Sequence, residues 1–118
     1  MRRALILSIL ALIVLGGLFF ALRPDQTGSG PEARTIDVVI QGDSMTPAEI
    51  SVREGDAVTL RITADEETEV HVHGYDLEQE VAPNEPATVE FEAKLTGRFE
   101  IEDESTHENL GVLVVQPR

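Results

Sequence analysis

No cysteine occurs anywhere in the chain, and that absence removes several kinds of chemistry at once. No disulfide can staple the fold, no thiolate can hold a metal, and no lipid-modified cysteine can anchor the protein. Tryptophan is also absent, and tyrosine occurs once. Basic residues are scarce: 9 Lys and Arg stand against 22 Asp and Glu. Arg2, Arg3 and Arg23 flank an apolar N-terminal run, so the chain from Pro24 onward carries 6 basic and 22 acidic residues, a net of −16. A field of that sign repels nucleic acid and anionic headgroups and attracts cations. A single lysine among so many carboxylates also fits a salty environment. No segment of ten or more residues after the N-terminal run shows an amphipathic helical period, which argues against an α-helical domain.

The N-terminal run is "ALILSILALIVLGGLFFAL", nineteen uncharged residues from Ala4 to Leu22, preceded by Arg2 and Arg3. As a helix it covers roughly 28 Å, close to the hydrocarbon thickness of a bilayer. A cleaved signal peptide begins in the same way, but its apolar run is shorter and ends at a small-x-small site, which "LFFALRPDQ" does not offer. The expected organisation is a cytoplasmic N-terminus at residues 1–3, a transmembrane anchor at 4–22, a flexible linker at 23–33 and a domain at 34–118 on the extracytoplasmic side, periplasmic or extracellular. A signal peptide at 4–22 is the alternative, and it too exports the domain.

Beyond the linker the hydrophobic period is two. "AVTLRIT" puts Val58, Leu60 and Ile62 on one face; "ATVEFEA" sets Val89 and Phe91 against Glu90 and Glu92; "RFEIED" sets Phe99 and Ile101 against Glu100 and Glu102. These patterns predict half-buried strands. Turn clusters rich in Gly, Pro, Asn or Asp separate them: "QGDSMTP", "REGD", "ADEET", "APNEP", "LTG" and "ESTHEN". Six or seven short strands at this spacing predict an all-β sandwich or barrel.

Three segments, taken in order, resemble the cupredoxin-like domain family over Thr35 to Pro117. "MTPAEISVREGDAVTLRI" is similar to the family's opening: a proline before a strand, Gly-Asp, then an alternating apolar strand. "ADEETEVHVHGYDL" corresponds to the strand bearing the first copper-binding histidine. "TGRFEIEDESTHENLGVLVV" is similar to its Gly-x-aromatic strand, ligand loop and final Gly-led strand. The resemblance implies a Greek-key β-sandwich, here behind an N-terminal transmembrane helix. It aligns the family's ligand-loop cysteine at or near Asp103, its histidine at Thr106 or His107, and its methionine near Leu110. With no cysteine, a blue-copper or thiolate-bridged centre is excluded on chemical grounds.

The candidate metal ligands are His71, His73 and His107. Alternation places His71 and His73 on one strand face, about 7 Å apart along the backbone, close enough for two imidazoles to converge on one ion. The resemblance brings the loop of His107 near the end of that strand, which implies a nitrogen site for Cu(II) or Zn(II) with Asp103, Glu104 or Glu108 as oxygen ligands. Met45 offers a thioether, although a lone methionine is more often a gap filler. The expected function is metal handling with copper as Cu(II), not blue-copper electron transfer.

Other readings stay open. Val70 and Val72 are the obvious core residues of the histidine strand, so both histidines can serve as wet-face contacts to a partner or as a pH-sensitive contact. Gly74 can mark a turn, with Tyr75 and Leu77 covering a sandwich edge. His107 can belong to a merely solvated loop. The alternative function is a metal-free β-sandwich interaction module that docks a membrane or periplasmic protein partner. No nucleophile, phosphate-cradling loop or acid–base constellation can be assembled, so an enzyme is not expected, and no catalytic residue is assigned.

Overall fold

The computed structural model describes residues 30–118; the expected anchor at 4–22 and most of the linker at 23–33 lie outside the described residues. Among the described residues no helix is long and apolar enough to cross a membrane. The domain is all-β. Its strands are β1 (Ala33–Gln41), β2 (Ser44–Thr46), β3 (Glu49–Arg53), β4 (Ala57–Ala64), β5 (Thr68–Val72), β6 (Leu77–Val81), β7 (Ala87–Glu92), β8 (Gly97–Asp103) and β9 (Glu108–Gln116).

Two sheets result, ordered β2-β1-β4-β7 and β3-β9-β8-β5-β6. β1 pairs with β4, and β3 with β9, in parallel; the other pairings are antiparallel. Consecutive strands β3 and β4 therefore lie in different sheets, which ties the two layers together.

Among the described residues nine strands stand where six or seven were expected. The additional ones are short or peripheral: β2 has three residues inside a cluster that reads as a turn, and β6 is an edge strand of sequence "LEQEV". An edge strand meets water along one side, so it needs little apolar patterning to persist.

Alternation decides the core. Val58, Leu60 and Ile62 of β4 pack inward with Val70 and Val72 of β5, Ile101 of β8, and Leu113 and Val115 of β9, all buried. Val89, Phe91 and Phe99 are partly buried against that cluster, and their neighbours Glu90, Glu92 and Glu100 face water. Met45 is buried in the same core, so it fills space between the layers. It lies beside Gly111, where a Cβ would collide with its Cε and with the Ala48 carbonyl oxygen.

One buried charge organises the end of the domain where the described chain begins. Asp56, from "REGD", is 1% exposed and accepts hydrogen bonds from the backbone N–H of Glu32 (2.9 Å) and Arg53 (3.0 Å) and from the Arg118 guanidinium. Burial, the largest influence, raises its pKa, but these two backbone donors together with Arg118 and Arg34 hold it below the usual carboxylate value. A paired buried carboxylate of this kind links segments far apart in sequence.

Candidate metal centre

The site begins with the inward turn of Val70 and Val72, 4% and 2% exposed. In a strand the intervening side chains must point the other way, so His71 stands on the outer face of the β3-β9-β8-β5-β6 sheet. β5 lies between β8 and β6 in that sheet, with His71 opposite Glu102 on one side and Glu78 on the other. Cross-strand partners are the closest side-chain neighbours in a sheet, so register alone sets an imidazole between two carboxylates.

His73 lies just past the end of β5. Its N–H donates to the Glu100 carbonyl at 2.9 Å, which continues the ladder to β8 and keeps the ring on the face of His71. The two ring centroids are 4.6 Å apart, with 30° between the planes. Gly74 follows at φ 80°, and a Cβ there would come within 2.5 Å of the Phe99 ring. A tight turn against Phe99 therefore accounts for the glycine directly after the histidines. Tyr75, next in the chain, packs edge-on against Phe91 and Phe99, and its hydroxyl donates to the Leu95 carbonyl at 2.7 Å.

At the other end of β8 the chain turns through residues 104–107. Asp103 is buried, and its Oδ1 accepts from the Ser105 hydroxyl (2.6 Å), the Ser105 N–H (3.1 Å) and the Glu69 N–H (3.4 Å). Its carboxylate is thus engaged in shaping the turn. The His107 N–H closes the turn by donating to the Asp103 carbonyl at 2.7 Å, with His107 itself at φ 60°. This turn brings Glu104 back over β5, where its Oε2 accepts from His71 Nδ1 at 2.8 Å. Since a carboxylate only accepts, that contact places the His71 proton on Nδ1.

Glu102 is the pivot. Its Oε1 lies 3.7 Å from His71 Nδ1 and 2.8 Å from His73 Nε2. The second contact is short, yet among the described residues the buried His73 Nε2 has no partner that meets hydrogen-bond geometry. The close approach of His73 is the main influence holding the Glu102 pKa below its ordinary value, against the opposing effect of burial. For His71, burial is the largest influence and lowers the pKa; the Glu104 hydrogen bond and the charges of Glu104, Glu78 and Glu102 outweigh it, and the net shift is upward.

Among the described residues, three groups of ligand atoms lie mutually within 4.8 Å: His71, His73 and Glu102; His71, Glu78 and Glu104; and Glu102, Glu104 and His107. His71 and His73 thus lie together on the outer side of the sheet that contains β5. His107 joins the same cluster through Glu102 and Glu104, but no group contains it with either of the other histidines. Of the oxygen ligands expected from sequence, Glu104 is present, whereas Asp103 is turned to the loop and Glu108 belongs to no group. Glu102 was legible only as a wet-face residue and Glu78 carried no sequence signal; the pairing register is what selects them.

An all-β domain of two sheets with a histidine–carboxylate cluster on one outer face is a β-sandwich whose candidate metal donors there are nitrogen and oxygen only. The chain belongs to the cupredoxin-like domain family, whose family model matches residues 9–115. No curated protein matches the chain. Among solved structures, it is similar to the metal-binding domain of the Streptococcus pneumoniae D39 Cu(I)-exporting P-type ATPase CopA, at 14% identity and TM-score 0.61, covering 75% of this chain and 98% of that one. It is similar to a copper binding protein solved by NMR in the apo form, at 14% identity and TM-score 0.62, covering 75% and 100%. It is also similar to the blue copper oxidase from Nitrosomonas europaea, at 20% identity and TM-score 0.58, covering 73% and 39%. The chain thus spans only 31–42% of the length of the multicopper and blue copper oxidases it matches. At these identities the likeness is one of fold.

The donor set present excludes the thiolate form of copper site and suits another. Two imidazoles and up to three carboxylates are ligands for Cu(II) or Zn(II). The buried Nε2 of His73, without a hydrogen-bond partner among the described residues, lies 2.8 Å from Glu102 Oε1, so a nitrogen and an oxygen donor already converge there.

Proposed function

We propose that this domain binds a divalent metal ion, Cu(II) in the first place, through His71, His73 and Glu102, and serves in copper handling outside the cytoplasm, without catalysing a reaction of its own. The observation that carries the reading is the short approach of Glu102 Oε1 to a buried His73 Nε2 that no hydrogen bond satisfies, with His71 Nδ1 on the same carboxylate. Metal-bound donors sit about 2 Å from the ion, so two of them are separated by at most about 4 Å. Ligand atoms within 4.8 Å of one another close on an ion with side-chain shifts of about 1 Å. The resemblance of the fold to domains described as copper-binding supports copper as the element, one of them being described with Cu(I); the choice of Cu(II) rests on the nitrogen and oxygen donors present.

The tether belongs to the same proposal. Arg2 and Arg3 followed by nineteen uncharged residues support a membrane anchor, with the domain held on the extracytoplasmic side. A net of −16 from Pro24 onward would raise the local concentration of cations around such a site.

The test is a Cu(II) titration of the full chain in detergent against glycine as a weak competitor. A dissociation constant below about 1 µM is expected, weakened at least about tenfold in the His71→Ala, His73→Ala double variant. Both positions lie on the outer sheet face, so the core is untouched. Equal affinity in the variant would overturn the assignment.

A further inference from the structure

The cluster holds more donors than one ion can use. His71, His73, Glu78, Glu102, Glu104 and His107 fall into overlapping groups, and the groups divide the histidines: His71 and His73 share one with Glu102, and His107 shares another with Glu102 and Glu104. Glu102 is common to both, and a carboxylate has two oxygens able to face two ions. We propose that this face holds two divalent cations bridged by Glu102, the first with His71 and His73 and the second with Glu104 and His107. This rests on the metal-binding reading above.

Three observations carry it. The turn at residues 104–107 is built so that Glu104 and His107 both return to Glu102: Asp103 fixes Ser105, and the His107 N–H is tied to the Asp103 carbonyl. The carboxylates Glu78, Glu102 and Glu104 have no lysine or arginine within ion-pair distance among the described residues; the ion pairs of Glu102 and Glu104 are to histidine. One divalent ion leaves that trio with a negative charge. A second makes the cluster one unit positive, inside an exported segment that carries −16.

The experiment measures stoichiometry on the full chain in detergent, loaded with Cu(II) in the presence of glycine and freed of excess. Metal-to-protein ratio is read by elemental analysis, and coupling between ions by electron paramagnetic resonance. Two copper ions per chain are expected, with the Cu(II) signal weaker than the copper content because neighbouring spins couple. His107→Gly removes the imidazole at a position of φ 60°, a conformation glycine adopts without strain, so the variant should keep the turn. In it the ratio should fall from two to one and the uncoupled signal should return.

A single ion in the parent chain, lost in the His71 and His73 variants, overturns the two-ion proposal and leaves the metal-binding reading intact. Two ions retained in His107→Gly also overturn it. No ion in the parent chain defeats both readings.

Discussion

His71 shows how a single side chain can respond to its neighbours against the pull of burial. Removal from water alone disfavours its charged form, yet Glu104 at 2.8 Å, with Glu78 and Glu102 opposite it across the strands, moves its pKa above the ordinary histidine value. A raised histidine pKa means that the folded state binds the proton more tightly than the unfolded chain. The resulting stabilisation is complete below the unfolded value of about 6.5 and is lost as pH rises through the folded value. Metal-free protein should therefore lose melting temperature as pH rises from about 6.5 to 8, and His71→Ala should flatten that slope. Parallel parent and variant profiles would count against the assigned contacts. Copper affinity should change in the opposite sense over the same range, because the metal competes with the proton for the ring nitrogen.

At the scale of the element, β5 and the turn after it act as one unit. The alternation of Val70 and Val72 aims the histidines outward, the His73 N–H to Glu100 carbonyl bond extends the ladder, and Gly74 lets the chain turn over Phe99. Gly74→Ala must place a methyl within 2.5 Å of the Phe99 ring at a φ of 80°, a conformation that other residues rarely adopt. It should destabilise the domain by about 1–3 kcal/mol, measured by denaturant unfolding, and weaken copper binding by shifting His73. A variant as stable as the parent would show that the turn relaxes freely. The direction of the β5 side chains was legible in sequence, because burial with a period of two leaves the histidines no other face. β2 and β6 were not, since three residues carry no period and an edge strand of "LEQEV" needs none. The partners of the histidines were also hidden. Glu102 lies 31 residues from His71, and nothing local to either residue states that β5 and β8 pair in that register.

The whole molecule is dominated by charge of one sign. A net of −16 from Pro24 onward acts on a domain in which, among the described residues, arginine ion pairs are few: Arg34 with Glu32, Arg61 with Asp37, Arg98 with Glu49, and Arg118 with Asp56. All but the last involve exposed side chains that contribute little. Repulsion among the remaining carboxylates opposes the compact state, and salt screens it within about 10 Å at 0.1 M. The melting temperature of the metal-free chain should rise between 0.05 and about 1 M sodium chloride; a fall would mean that ion pairs outweigh the repulsion. At this same scale the division between sequence and structure is plain. Sequence by itself determined the all-β class, the inward faces of β4, β5, β7 and β8, the excess of acid, and the exclusion of thiolate chemistry, because each depends on residue identity or on a period of two. Only the tertiary structure decided that Glu102 stands between the histidines, that Asp103 serves the turn, and that His107 approaches by way of Glu104. Those placements come from strand register and turn geometry, which pair residues distant along the chain and leave no local trace.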